Sequence, residues 1–202
     1  KTTLSKKLAD LLGYEAFNEP VEDNPYLADF YGDMNRWGAM MQLHLLFRRF
    51  EQHQRIVWNK EKGAVQDRTI YEDAVFAKML VKLNLMDERD YENYLSLFRH
   101  MSNFMCRPSA IIYLDVSPER SMERILQRSR NVESEISMEY LQGLHAEYQK
   151  FLHDISRRIP TIRVSWEEYH DVEEMAQVIQ REYMNASFMR EVTEWDPAIK
   201  VG

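Results

Sequence analysis

The chain has 202 residues, 45% of them hydrophobic and 12% aromatic, enough for one sizeable core and short of two full domains. Lys and Arg number 26 against 33 Asp and Glu, a net charge of −7 that argues against a nucleic-acid polymer as the main partner. The single cysteine, Cys106, excludes a disulfide framework and a multi-cysteine zinc site.

Short β-branched or aromatic runs alternate with longer runs at helical period, which predicts an α/β fold with a parallel sheet. In chain order the pattern predicts a helix over 2–12, a strand over 14–18, a long helix over 35–59 and a strand over 64–66. Helices over 72–85 and 88–105 follow, then a strand over 110–116 whose sequence AIIYLDV is apolar almost throughout, as befits a strand covered on both faces. Ser117 ahead of Pro118 starts a helix over 118–128, and Ser137 starts another over 138–158. A strand over 161–164 and a helix over 172–184 complete the pattern, and the segment from Asn185 loses its periodicity and is expected to wrap over the surface. Cys106 reads as a small buried apolar residue rather than a nucleophile. No uncharged run approaches the roughly 18 residues of a membrane span, and with one cysteine the expectation is a cytoplasmic protein without membrane contact. The chain opens on Lys1, Thr2 and Thr3 and enters a helix at once. Four strands with helices of this length call for a fifth before the first helix, so residues 1–202 read as a single domain truncated at its N-terminus.

Five features carry chemistry. KTTL entering a helix matches the tail of the phosphate-loop pattern GxxxxGK[ST], in which the lysine reaches phosphates and the hydroxyl ligates magnesium; Lys-Thr pairs also start helices by chance. In FNEPV, Glu19 follows a strand and Pro20 forces the chain out of it, holding a carboxylate at the sheet's carboxyl edge, as a working group or as half of a salt bridge. In QDRT, Asp67 and Arg68 end the next strand at the same edge, a metal-capable carboxylate beside a phosphate-capable guanidinium. Arg124 and Arg128 stand one helical turn apart, with Arg130 and Glu133 close behind; this is either a lid over about 124–135 that closes on a polyphosphate or a solvated face. On the long helix, Gln42 and Arg49 are two turns apart among apolar residues, and a buried Arg49 needs a partner that Asp73 is able to supply.

Taken in order, KTTLSKKLADLLGY, FNEPVEDNPYLADFYGDMNRW, MMQ, DRTIYED, IIYLDVSPE and RILQRSRNVESEISMEYL resemble the deoxynucleoside kinases over nearly the whole chain, with EPVEDNPYL most similar to the bacterial-type purine branch. The resemblance implies a P-loop kinase-like, three-layer α/β/α fold around a five-stranded parallel sheet. It implies transfer of the γ-phosphate of ATP, with Mg2+, to the 5′-hydroxyl of a deoxyribonucleoside in nucleotide salvage. Glu19 would accept the hydroxyl proton and Arg68 would hold that base. Thr2 and Asp67 would serve magnesium, and Lys1, Thr2, Thr3, Arg124, Arg128 and Arg130 the ATP phosphates. Tyr31 and Glu133 would hold the sugar 3′-hydroxyl, Gln42 would read the base edge and Phe76 would stack on it. An Arg and Asp pair at the places of Arg49 and Asp73 accompanies purine and cytosine acceptors, because a carboxylate accepts from an exocyclic amino group and a guanidinium donates to a ring nitrogen or carbonyl. Deoxyadenosine or deoxyguanosine is therefore expected first and deoxycytidine second. A homodimer built on the helices over 35–59 and 88–105 is also implied.

The chain departs from that pattern twice. It lacks the glycine-rich half of the phosphate loop, and Asp67 to Phe76 is one residue shorter than usual, a rotation of about 100° on a helix. Two other readings share parts of the pattern. A nucleoside monophosphate kinase also has a strand-end Asp-Arg and an arginine lid, but a carboxylate at Glu19 would repel an acceptor phosphate. A non-catalytic subunit with the kinase fold would have no need of an intact Glu19, Arg68 and lid.

Overall fold

The computed structural model describes residues 1–19, 24–59, 61–128, 136–168 and 170–191. The first helix, α1 (Thr2–Leu12), buries Leu4, Leu8 and Ala9, one stripe at helical spacing, and stops at Gly13. Gly13 has φ 68°, and the amides of Gly13 and Tyr14 turn back to Asp10 and Ala9, a left-handed stop that glycine adopts without strain. The chain then enters β1 (Glu15–Phe17), α2 (Leu27–Gly32), the 25-residue α3 (Met34–Trp58) and β2 (Ala64–Gln66). A 3-10 turn (Ile70–Glu72) leads into α4 (Asp73–Lys82), followed by α5 (Glu88–Ser102), β3 (Ile111–Asp115) and α6 (Pro118–Arg128). The last elements are α7 (Met138–Ile155), β4 (Thr161–Ser165) and α8 (Val172–Glu191).

Side-chain caps set several of the helix starts. Asp33 accepts from the Arg36 amide, Asp87 from Arg89 and Ser137 from Tyr140, each meeting one of the donors that a helix start leaves open. Ser117 accepts from the Arg120 amide, as its place before Pro118 predicts.

All strand pairs are parallel, as the alternating pattern predicts. β1 pairs with β2 and β3 with β4, and the four described strands form two pairs rather than one continuous ladder. One apolar cluster joins both pairs: Leu4 and Leu8 of α1, Trp166, and Ala176 and Ile179 of α8 pack with Val65 of β2 and with Ile112 and Leu114 of β3. A second cluster, centred on Leu46, Ile70, Leu80 and Tyr94, binds α3, α4 and α5 together. Gly38 of α3 lies there against the chain following α4; a Cβ at this position would meet the Leu85 carbonyl oxygen at 2.8 Å.

Three expectations change. The six residues of α2 are helical although too short for a periodic signal. The helix over 172–184 continues to Glu191, so the segment from Asn185 begins as helix rather than as an irregular wrap; residues 192–202 lie outside the described residues. Cys106 is exposed rather than buried. Its backbone is what the fold uses: its amide donates to Nε2 of the buried His53, and its carbonyl accepts from the Tyr71 hydroxyl.

Candidate active site

Because β1 and β2 are parallel with Phe17 opposite Gln66, the residues after them emerge at one carboxyl edge. The Asp67 amide donates to the Phe17 carbonyl at 2.8 Å, and two residues beyond Phe17 stands Glu19. The start of α1 meets the same edge, where Thr2 Oγ1 donates to Asp67 Oδ2 at 2.8 Å. The first three sequence features thus converge. Arg68 takes a left-handed φ of 65°, uncommon for a residue with a side chain and a form of strain that concentrates at working sites.

The long helix supplies the opposite wall. Its buried stripe runs Gly38, Met41 with the adjacent Gln42, Leu46, Arg49 and His53 at helical spacing, so polar side chains share the inward face with apolar ones. Gln52, beside that stripe, ties α3 to the sheet: it donates to the Asn18 carbonyl and accepts from Gln66. Arg49 is 2% exposed and Asp73 is wholly buried, and the two form an ion pair, the partnership that burial of Arg49 requires. Arg49 Nη2 also donates to Glu19 Oε1 at 2.8 Å. Arg68 Nε lies 3.0 Å from the same oxygen, so two guanidinium groups converge on one carboxylate.

This arrangement sets the protonation states. Burial pushes the Glu19 carboxyl upward, but Arg68, Arg49 and Lys1 together outweigh it and hold it below its usual 4.5. For Arg68 burial acts to lower the pKa, and Glu72, Tyr148, Glu19 and Asp67 more than reverse it, so the guanidinium is permanently charged. The Lys1 ammonium is lowered by the Arg68 cation, against Glu72, Glu19 and Asp67.

The structure adds residues that the motifs do not single out. Glu72 Oε1 accepts from Arg68 Nη1 at 3.3 Å, and Tyr148 of α7 hydrogen-bonds both: its hydroxyl accepts from Arg68 Nη1 at 3.3 Å and donates to Glu72 Oε2 at 3.1 Å. Phe76 lies beneath the guanidinium, with Arg68 Cζ 5.1 Å from its ring centroid, and meets Tyr148 edge-on. Tyr140 of α7 sits near Tyr31 and Arg68; burial, then Tyr31, carries its phenol up to about 12 against the Arg68 cation. Glu72 was detectable as the residue one helical turn after Arg68. Nothing local marks Tyr148 or Tyr140, since they reach the site only because α7 packs on α4.

Residues 1–192 match the family described as Deoxynucleoside kinase. The chain is 52% identical over 192 residues to a deoxyadenosine kinase of Dictyostelium discoideum, covering 95% of this chain and 78% of that protein. It is 37% identical over 172 residues to a deoxyadenosine/deoxycytidine kinase of Bacillus subtilis (strain 168), covering 84% of this chain and 78% of that protein. The chain belongs to the deoxynucleoside kinase family. Its fold matches the deoxyadenosine kinase from M. mycoides with bound dCTP at a TM-score of 0.77 and 30% identity, covering 91% of this chain and 92% of that one. The architecture is therefore that of the P-loop kinases, and the chain is an enzyme that uses nucleotides.

The remaining expected residues of this kinase are placed less centrally or fall outside the described part. Gln42 is buried on α3, on the inward face it shares with Arg49. Tyr31 lies in the last turn of α2, edge-on to Phe30. Thr3 is exposed on the first turn of α1. Arg124 Nη2 donates to the Glu167 carbonyl at 3.0 Å, beside Arg120 Nε, which donates to the same oxygen at 2.9 Å. Arg128 is the last residue of α6, and its side chain, like Arg130 and Glu133, lies outside the described residues, as does most of the expected lid. Among the described residues no group of three or more His, Cys, Asp or Glu is placed to hold a metal ion, and no helix is long and apolar enough to cross a membrane.

Proposed function

We propose that this kinase transfers the γ-phosphate of ATP to the 5′-hydroxyl of a purine deoxyribonucleoside, deoxyadenosine or deoxyguanosine first and deoxycytidine second. The observation that carries this reading is the cluster at the sheet edge, in which Glu19 is clamped by Arg68 and Arg49 while Arg49 also holds the buried Asp73. Phosphoryl transfer asks mainly for positioning and charge stabilisation, with an oriented hydroxyl. Glu19, kept as a carboxylate, accepts the 5′-hydroxyl proton, and Arg68 holds that carboxylate and steadies charge on the phosphoryl group. Asp73 accepts from the exocyclic amino group of the base, Arg49 donates to a ring nitrogen or carbonyl, and Gln42 reads the same edge. Phe76 stacks on the base, with Tyr31 and Glu133 on the sugar 3′-hydroxyl. Lys1 and Thr3, joined by Arg124, Arg128 and Arg130 from the lid, meet the ATP phosphates.

The fit for magnesium is the chemistry of its donors: Thr2 Oγ1 and Asp67 Oδ2, 2.8 Å apart, are the hard oxygen ligands that magnesium takes. Bound there, the ion would neutralise charge on the donor phosphates. The charge balance favours a neutral acceptor over a nucleoside monophosphate. Around Glu19 the cations Lys1, Arg49 and Arg68 face the carboxylates Glu19, Asp67, Glu72 and Asp73, an environment poorly suited to a second phosphate. The family resemblance, the lone Cys106 and exposed apolar side chains on α3 and α5 support a cytoplasmic homodimer.

Turnover of the four deoxynucleosides and of dAMP tests the reading. Deoxyadenosine or deoxyguanosine is expected to give the highest kcat/KM and dAMP none, and a preference for thymidine overturns the assignment of Arg49 and Asp73. Glu19→Gln is expected to reduce kcat by about 10² to 10⁴, the range for loss of a general base, with the fold retained by circular dichroism.

A further inference from the structure

Arg68 is held from three sides. Its Nε faces Glu19 at 3.0 Å, its plane lies over Phe76, and its Nη1 meets Glu72 Oε1 and the Tyr148 hydroxyl, each at 3.3 Å. Tyr148 closes the arrangement by donating to Glu72 Oε2 at 3.1 Å, so a guanidinium, a carboxylate and a phenol form a ring of hydrogen bonds. The phenol stays protonated and able to donate: burial first, then Glu72, raises its pKa well above 10, against Arg68. Its ring is fixed independently, stacked on Tyr113 of β3 at 6.0 Å and edge-on to Phe76 at 5.8 Å. Tyr148 belongs to α7, the helix that begins at Met138, just after the segment expected to be the lid.

An arginine has a long stem with many rotamers, and a left-handed φ at its root gives no guarantee of where the guanidinium points. A charged partner and a rigid aromatic hydroxyl at one nitrogen fix the plane, and hence where Nε stands relative to Glu19. We propose that Tyr148 and Glu72 are a positioning pair for Arg68, through which α7 sets the orientation of the guanidinium over the catalytic base. The inference rests on the assignment of Glu19 as that base. Neither residue touches the reacting hydroxyl; both act through Arg68.

Tyr148→Phe removes only the hydroxyl and keeps the ring against Tyr113 and Phe76, and Glu72→Gln keeps the shape and removes the charge. Each variant of the enzyme is expected to lower kcat about tenfold while KM for deoxyadenosine stays within about twofold. The double variant is expected to lose little more than the weaker single one, since the two residues serve one arginine. The acid limb of kcat/KM is expected to move upward toward 4.5 in Tyr148→Phe, which removes no charge, because Arg68 then stabilises the Glu19 carboxylate less. A merely structural tyrosine would change the melting temperature and leave that limb in place. A Tyr148→Phe rate within about twofold of the parent, a loss confined to KM, or additive losses in the double variant overturn the proposal. Glu19→Gln, measured alongside, separates the two assignments. If it is inactive while Tyr148→Phe keeps its rate, the positioning pair alone falls. If it is fully active, the base assignment falls, and the kcat losses and their non-additivity alone uphold or overturn the pair.

Discussion

At the scale of single residues, the site is governed by which charges are forced together out of water. Arg49 is nearly fully buried, so it must be answered, and both Glu19 and Asp73 answer it. The same need for partners makes Glu19 a permanent carboxylate at working pH, with Arg68 Nε 3.0 Å from its Oε1. The sign follows: burial pushes this carboxyl up, the neighbouring cations outweigh it, and the net shift is downward, so protonation begins only below the usual 4.5. The acid limb of kcat/KM is therefore expected below pH 4.5, read from initial rates at saturating ATP, with no loss of activity through the range where histidines titrate. Much of this residue set was legible in the chain. Arg49 with Asp73 followed from a charged residue among apolar neighbours, and Glu19 and Arg68 followed from strand ends. Tyr148 was not legible, because its neighbours in sequence, Glu147 and Gln149, say nothing about a site formed some eighty residues away in the chain.

At the scale of elements, the α4 and α7 contact is pinned by one carboxylate. Glu147 is 3% exposed and ion-pairs with Lys78 and Lys82 of α4 and with Lys150 of its own helix. Burial raises its pKa, the hydrogen bonds from Lys150 and Lys82 and the charge of Lys78 outweigh it, and the carboxyl is held down at about 2. A depressed carboxylate adds stability that is fully present above its unfolded-state value near 4.5 and lost as pH falls toward 2. The lysines are half-exposed, so solvent screening keeps the contribution small. Glu147→Gln is expected to lower the melting temperature at pH 7, with the gap to the parent closing between pH 4.5 and 2 in thermal denaturation. Most elements were readable from periodicity, and β2 and α6 match the expected bounds. α2 escaped because six residues are under two turns, and the end of α8 escaped because its polar residues give no apolar stripe.

At the scale of the whole molecule, α3 and α5 carry exposed Met40, Phe47 and Leu97, large apolar side chains on two helices packed against each other. Such a face suits a second copy, and a stable dimer needs about 800 Å² from each partner. Light scattering is expected to show a dimer, and Phe47→Glu is expected to shift it to monomer at micromolar concentration; a monomeric parent chain would remove the dimer from the proposal. The sequence by itself determined the parallel α/β pattern, the chain's family and the placing of Thr2, Glu19, Asp67 and Arg68 at one strand edge, because hydrophobic period and short motifs are local properties. Only the tertiary structure decided that Arg68 turns back at φ 65°, that two arginines meet on one oxygen of Glu19, and that α7 brings Tyr148 to complete the ring. Those contacts join residues far apart in the chain, and their geometry depends on how helices pack over a sheet edge, which no local pattern encodes.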